Sequence, residues 1–395
     1  MRGRKVIAFL AWAIVLVLTV PTIMFVAECT AGAAPGPRRR ATVGDAPPFI
    51  VLIPAHDEER GIQRTIASVQ AQLRGCDGLL VIADNCSDAT ATIALSAGAR
   101  VLIRTDRTAR GKGFALAAGR DALAQAGVLP DVVIVLDADC LPEPGALPLL
   151  AAAVARDGAA VQGRYLLTGR TPVSARSGLS NFAFLIKNLV RQRGLKALGG
   201  PALLQGSGMG FPWAVFAAAP LASAAIVEDL ELGLRLALGG VPVTFAQEAS
   251  FWSESGPATA LASQRTRWEH GSLSLVPGYL PKLAWATMRG RRELLPLLLD
   301  LTVPPVSLLI LALLVALTAT IGLGPFGAGF APALCLALQG TLLAVTIMFV
   351  WHRCGRAVLP ATMLVRIPAY VLWKLPIYFR LVGGRERRWV RTERE

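Results

Sequence analysis

Residues Val132 to Cys140 read VVIVLDADC, and two acids, Asp137 and Asp139, stand one residue apart where an apolar, largely β-branched run gives out. Such a run reads as a strand buried on both faces. A carboxylate pair at a buried strand end loses water and repels itself. A divalent cation relieves both problems. Mg2+ or Mn2+ takes hard oxygen ligands, and one or two carboxylates with substrate phosphates complete its shell. Taken alone, the same letters also describe an ordinary Asp-rich turn, so the rest of the chain has to decide.

Other polar clusters have the same setting. Pro54-Ala55-His56-Asp57-Glu58-Glu59 follows the run FIVLI, and Asp84-Asn85-Cys86-Ser87-Asp88 follows GLLVIA. Arg104 to Arg110 and then Gly111-Lys112-Gly113 follow RVLIR. Gly-Lys-Gly suits a backbone that approaches an anion closely with a cation beside it, although the P-loop spacing is absent. Gly206-Ser207-Gly208-Met209-Gly210 is not a dinucleotide fingerprint, because no buried strand precedes it at the right place. Farther on, Glu228 and Asp229 open an apolar helix, as dipole-stabilised charges or as a general base for an incoming hydroxyl. Gln264-Arg265-Thr266-Arg267-Trp268 then sets two cations and an indole within five residues. Cations neutralise a leaving diphosphate and an indole stacks on a sugar; the plainer alternative is a basic juxtamembrane helix with an aromatic anchor.

The elements that must position these groups alternate. Strands at 49–53, 78–83, 100–104 and from 132 are separated by helical stretches at about 58–73, 89–97 and 113–125. That alternation predicts an α/β domain, a mainly parallel sheet with helices on both faces. In such a sheet ligands bind beyond the carboxyl ends of the strands. Every polar cluster in the first half of the domain falls at such an end, which defines one expected site. Singly, Asp57 and Glu58 can be helix caps, Asp84 an Asx-turn and Lys112 a solvated charge; four coincidences on one edge weigh against that.

The 395 residues are 54% hydrophobic and only 17% charged, more apolar than a soluble protein. Val6 to Ala27 is an uncharged run long enough to cross a bilayer and too long for a cleaved signal, so it reads as an anchor. Leu294 to Thr320, carrying the single acid Asp300, and Ala331 to Trp351 predict a transmembrane hairpin joined by a Gly-rich link. Ala357 to Val382, broken by Arg366, Pro368, Lys374 and Pro376, predicts an interfacial or re-entrant helix. The expected domains are therefore an anchor and linker at 1–40, a catalytic domain at 41–293, the hairpin at 294–351, and an interfacial helix with a basic tail at 352–395. Arg380, Arg385, Arg387, Arg388, Arg391 and Arg394 place that tail in the cytoplasm, and His352–Arg356 and Met288–Arg292 agree. The middle domain, preceded by Arg38, Arg39 and Arg40, is expected on the same side and the N-terminus outside, against the pull of Arg2, Arg4 and Lys5. The net charge of +14 follows from flanking arginines that meet anionic lipid. No basic stripe interleaved with aromatics and no nucleic-acid motif appears, so nucleic acid is not an expected partner. Six cysteines without C-x-x-C or zinc spacing fit reduced thiols in a cytoplasmic domain.

With IPAHDEE, ADNCSD, RGKG, DADC, VEDLELG and QRTRW in this order, the chain resembles, from about Phe49 to Gly271, the membrane-bound inverting transferases of glycosyltransferase family 2, the group of cellulose synthase, hyaluronan synthase and poly-N-acetylglucosamine synthase. The resemblance implies a GT-A fold (Rossmann-like), flanking transmembrane helices, a nucleotide-sugar donor, most often a UDP-sugar, and Mg2+ or Mn2+. Pro54, His56, Glu58 and Asp84 fall where the family holds the nucleoside, and Lys112 where it approaches the nucleotide. Asp137 and Asp139 match the metal-binding D-x-D, with Asp139 the direct ligand. Asp229 matches the acid expected to act as base, with Glu228 beside it as a second candidate. Gln264, Arg267 and Trp268 match Q-x-x-R-W beside the diphosphate and acceptor, with Arg265 between them, and Gly206 and Gly208 fall in the region lining the acceptor entrance. The chain departs from the family at Ala83, where an acid is usual, at Val227, where the cellulose-synthase form has Thr, and at Trp213, where synthases often carry Arg. The resemblance implies transfer to an envelope or exported polysaccharide. Single addition to a lipid acceptor, sphingolipid-like or polyprenyl, is the alternative in the same class. Three clear spans are few for a channel made by one chain, so secretion calls for an oligomer, a partner or a compact pore built with the interfacial helices. A non-catalytic scaffold predicts eroded acids, yet Asp84, Asp137, Asp139 and Asp229 are all present. A phosphohydrolase has no reason to carry QRTRW beside a membrane anchor.

Overall fold

The computed structural model describes residues 2–34, 43–168, 174–223, 225–255 and 258–383. Arg38–Arg40 and the tail arginines from Arg385 onward lie outside the described residues. In chain order the first elements are α1 (Arg2–Ala33), β1 (Phe49–Ala55), α2 (Ile62–Gln70), β2 (Gly78–Asp84), α3 (Thr90–Ser96), β3 (Arg100–Arg104), α4 (Lys112–Gln125), β4 (Val132–Val135) and β5 (Cys140–Pro142). There follow α5 (Ala146–Asp157), β6 (Ala160–Thr168), α6 (Ala175–Leu185), a π-helical segment at Ile186–Arg191, α7 (Gln192–Ala197), β7 (Met209–Pro212), α8 (Trp213–Ala218), α9 (Glu228–Leu238), β8 (Val243–Glu254) and α10 (Ala258–Met288). The last helices are α11 (Leu295–Leu301), α12 (Val306–Leu323), α13 (Ala331–Val350), α14 (Ile367–Trp373) and α15 (Leu375–Gly383).

The chain divides into two units. One combines Pro37–Thr171 with Pro201–Leu275; the other combines Met1–Gly36, Pro172–Gly200 and Val276–Arg385. The catalytic domain expected at 41–293 is thus interrupted, because 172–200 and 276–293 group with the apolar helices.

In the first unit eight strands form one sheet in the order β3-β2-β1-β4-β7-β6-β8-β5. Strands β3, β2, β1 and β4 run parallel, as the alternation predicts. Beyond β4 the sheet is mixed, with β7 antiparallel to both β4 and β6, and β6 parallel to β8. Phe49, Val51, Leu52, Ile53, Ile82 and Ile134 are fully buried, which is why these strands read as unbroken apolar runs. The chain leaves β1 for β2 on one side and returns to β4 on the other, so β1 and β4 flank the point where strand order reverses, the usual ligand crevice of such sheets. Two local expectations shift. The strand at Val132 ends at Val135, freeing Asp137 for a turn. The helix expected from Glu58 starts only at Ile62, because Asp57 to Glu59 are engaged by the loop after β2.

In the second unit, helices long and apolar enough to cross a membrane are found at Arg2–Ala33, Val306–Ala328 and Ala331–Gly355. The span predicted from Leu294 starts instead at Val306: Pro304 and Pro305 follow the short helix α11 and interrupt the ladder, since proline has no N–H to give. Asp300 is therefore outside the span. It shares Arg191 with Glu28, Arg191 Nε lying 2.6 Å from the Glu28 carboxylate and Nη2 2.5 Å from that of Asp300. A Cβ at Gly32 would strike the Val190 carbonyl and one at Gly194 the Glu28 carbonyl, so α1 and the 186–197 segment meet backbone to backbone. The apolar run after Ala357 is broken into a 3-10 turn, α14 and α15, as its prolines predict.

Candidate active site

The loops after β1 and β2 lace together beyond the sheet edge. His56 Nδ1 lies 2.7 Å from the Asp84 carbonyl. The Asp57 carboxylate accepts the Ser87 N–H at 2.6 Å, and the Glu58 N–H donates to Thr90 Oγ1 at 2.8 Å. Asp57 and Asn85 both adopt left-handed backbone, with φ of 53° and 54°, a conformation that Asp and Asn tolerate better than most residues. Asp84 stands opposite Arg104 in the β2–β3 register, and the guanidinium reaches its carboxylate at 2.5 Å. Arg104 also holds Asp106 at 2.9 Å. Arg104 sits among the polar residues at the strand ends without being singled out from the sequence; two neighbouring parallel strands ending in Asp and Arg were the signal for this pair.

On the other side of β1, residues 137–140 form a tight turn in which the Cys140 N–H donates to the Asp137 carbonyl at 3.0 Å. Buried Thr65 of α2 donates its hydroxyl to the Ala138 carbonyl at 2.7 Å. Both acids of the pair therefore ride on a turn fixed from beneath. Because β7 is antiparallel to β4 and pairs Met209 with Val135, it begins at the edge where β4 ends. That brings Gly206-Ser207-Gly208 against the turn, and the Ser207 hydroxyl accepts the Asp137 N–H at 3.0 Å. Buried Gln162 of β6 clamps the loop, its amide accepting the Gln205 N–H and donating to the Ser207 carbonyl, each at 2.8 Å. Gly206 and Gly208 have φ of 88° and 65°, and a Cβ at Gly208 would lie 2.5 Å from the Phe251 ring, so neither position takes a side chain without strain.

Lys112, the first residue of α4, extends into this corner. Its Nζ lies 2.5 Å from Asp137 Oδ1 and also donates to the Gly206 carbonyl. A Cβ built on Gly206 would lie 3.1 Å from Asp229 Oδ2 and 3.6 Å from Lys112 Nζ, which puts the start of α9 in the same corner. A small cavity there is lined by Lys112, Met209, Glu228 and Asp229, with Leu116 and Leu221 among its apolar walls. Burial works against the charge on Lys112, but Asp137, then Glu228 and Asp229, hold its pKa above the ordinary lysine value. Burial, then the adjacent Asp229, pushes the Glu228 carboxyl up to about 8. The structure thus gathers Lys112, Asp137, Gly206, Glu228 and Asp229, with Asp139 on the same turn as Asp137.

Gln264 to Trp268 lie on α10, where Gly271 packs on Ile226 and Val227, the residues just before Glu228. The Arg265 guanidinium sits 4.8 Å over the Trp268 ring, so one face of the indole expected to stack on a sugar is covered by the chain's own cation. Pro54 stays within β1, one residue short of its end. The donor set fits a hard divalent ion: two carboxylates on one turn, one already drawing the Lys112 ammonium to itself as a stand-in cation.

The comparisons with known proteins agree with this architecture. The family described as "Glycosyltransferase like family 2" matches residues 47–271. The chain belongs to this family, and its fold is of the GT-A type. Among solved structures it is similar to the mannosyltransferase PcManGT from Pyrobaculum calidifontis in complex with GDP-Man and Mn2+, at 15% identity and a TM-score of 0.57, covering 93% of this chain and 99% of that one. Glucosyl-3-phosphoglycerate synthase from Mycobacterium tuberculosis, in complex with Mg2+ and UDP, is similar at 22% identity over 61% of this chain and 85% of that one, with a TM-score of 0.41. The same enzyme with Mn2+, UDP and phosphoglyceric acid gives 19%, 61%, 83% and 0.40. The first likeness speaks for the fold alone, and the other two are too loose to bear on the site. No curated protein matches the chain in sequence.

Proposed function

We propose that this protein is a membrane-bound, metal-dependent, inverting glycosyltransferase that moves a hexosyl group from a nucleotide-sugar, expected to be a UDP-sugar, onto a growing envelope or exported polysaccharide. The observation that carries the reading is the convergence of Lys112, Asp137, Gly206, Glu228 and Asp229 beyond the carboxyl ends of the parallel strands. In this reading Asp84, His56 and Glu58, with Arg104, form the nucleoside end of the site, and Pro54 shapes the turn into it. Asp137 and Asp139 would hold Mg2+ or Mn2+, which when bound would neutralise charge on the donor diphosphate. Lys112 and Arg267 add positive charge at the leaving group. Asp229 takes the proton of the acceptor hydroxyl as that oxygen attacks the anomeric carbon from the face opposite the nucleotide; one displacement inverts the linkage. Asp229 is the base by its match to the family's acid, and Glu228, whose carboxyl is pushed up by burial and then by Asp229, is the second candidate beside it. Gly206 and Gly208 give the acceptor close access to the backbone, and Gln264, Arg265 and Trp268 border that entrance from α10. The protein is read as an integral membrane protein with its catalytic domain in the cytoplasm and lipid as a partner.

A second reading, single addition to a lipid acceptor, is favoured by the three helices long and apolar enough to cross a membrane among the described residues, few for a polymer channel without an oligomer or a secretion partner. Membranes carrying the protein, incubated with radiolabelled UDP-sugars and GDP-mannose plus Mg2+ or Mn2+, separate the two. GDP-mannose joins the panel because the neighbouring mannosyltransferase is in complex with GDP-Man and Mn2+. Label in polymer from one donor, lost in Asp139→Ala, supports the synthase; label in a single-sugar lipid moves the reading to glycolipid assembly. No metal-dependent turnover of any donor would sink the enzyme.

A further inference from the structure

We propose that Glu28, Arg191 and Asp300 form a proton-binding site: one proton is held between the two carboxyls, and the triad so neutralised fastens α1 to the 186–197 segment and to α11. All three residues belong to the unit of apolar helices, and none takes part in the transfer chemistry.

Glu28 lies near the end of α1, Arg191 closes the π-helical segment, and Asp300 lies in α11. One guanidinium is divided between the two acids, Nε meeting Glu28 Oε2 at 2.6 Å and Nη2 meeting Asp300 Oδ1 at 2.5 Å. Glu28 is 0% exposed and Asp300 6%, and the Phe25 ring lies 6.0 Å from the guanidinium carbon. Two ionised acids and one arginine would leave a negative charge uncompensated and out of water. A buried group in that position takes up a proton instead. Two contacts locate it. The Glu28 and Asp300 side chains are within hydrogen-bonding reach of each other, and two carboxyls bond directly only when one carries a proton, since an ionised carboxylate is acceptor-only. The other Glu28 oxygen, Oε1, is shielded from water and has no hydrogen-bond partner. An uncharged carboxyl tolerates that; a buried carboxylate calls for partners at both oxygens. A metal cation in the same place would stand against the guanidinium. The close backbone approach at Gly32 and Gly194 keeps α1 and the 186–197 segment from drawing apart to admit water. The N-terminal span is thus locked into its unit, where the sequence alone describes an anchor.

The test uses the full chain in detergent micelles and reads the infrared C=O stretch of protonated carboxylic acids, which is separate from the carboxylate bands and shifts in deuterium oxide. At neutral pH one such band of the wild type should vanish in Glu28→Gln and equally in Asp300→Asn, because either change leaves a single acid that ionises against Arg191. Both single variants should keep nearly the wild-type unfolding midpoint. Glu28→Gln with Asp300→Asn together strands the guanidinium, so the midpoint should fall by much more than the sum of the single effects. A wild-type spectrum with no protonated carboxyl band overturns the inference, and that result needs no variant to fold. A band that survives in both single variants overturns it as well, as does a single variant that fails to fold or a double variant whose loss is merely additive. A wild-type midpoint that rises with Na+ or K+ at constant ionic strength, with the band missing, would put a metal cation in the proton's place and overturn it too.

Discussion

Glu228 and Asp229 are adjacent on the first turn of α9 and share a corner with Lys112, and two carboxylates so close cannot both ionise without cost. Burial and Asp229 push Glu228 to about 8 from its ordinary 4.5. A carboxyl raised in the folded state stabilises the fold fully below the unfolded value, and that contribution is lost as pH rises through the folded one. Stability should therefore fall between about pH 4.5 and pH 8 in the wild type, and Glu228→Gln, which mimics the protonated acid, should flatten that slope in thermal unfolding scans. The same variant should keep most of its turnover, while Asp229→Asn should lose about 10²–10⁴-fold, the usual share of a general base. Equal losses in the two variants, or loss only in Glu228→Gln, would reverse the assignment. The acids themselves were legible in the sequence, because charged residues at the ends of apolar runs stand out. Which of the two carries the proton was not, since that depends on burial and on a lysine more than a hundred positions away in the chain.

At the scale of elements, the parallel half of the sheet was legible because each strand is a short apolar run and each polar cluster follows its end. The role of Gln162 was not. It is a polar residue inside a buried strand, 0% exposed, and nothing local says that it clamps residues 205–207 more than forty positions on. That link arises only from the pairing of β6 and β7. Gln162→Leu would orphan the Gln205 N–H and the Ser207 carbonyl, at about 1–3 kcal/mol for each buried group left unpaired. The unfolding midpoint should drop, and nucleotide affinity should drop with it, because Ser207 positions Asp137 and the Gly206 carbonyl positions Lys112. A variant as stable as the wild type, with unchanged affinity, would show that the loop holds its shape without the clamp. The start of α2 differs from expectation for a related reason: Asp57 and Glu58 look like acids capping a helix, but the Asp57 carboxylate accepts the Ser87 N–H and the Glu58 N–H donates to Thr90 across the gap to the next loop and helix.

At the scale of the whole molecule, composition alone announced the apolar helices, while the membership of residues 172–200 in their unit was hidden. Arg191 reads as one more basic residue until it meets Glu28, 163 positions earlier. Orientation is the property of the whole chain that the charge pattern predicts most directly: arginines flank the apolar runs on the side where the catalytic unit is expected. Cys76 offers a probe, since it is exposed in that unit while Cys29 and Cys140 are buried. In a variant retaining Cys76 as its single cysteine, a membrane-impermeant maleimide should label nothing in intact cells and should label Cys76 in inverted vesicles. A nucleotide-sugar donor is made inside the cell, so this side is also the one the proposed reaction needs. Labelling in intact cells would put the catalytic unit on the outer face, where positive-inside bias and donor supply would both argue against the reading, and the function would have to be rebuilt around a different substrate.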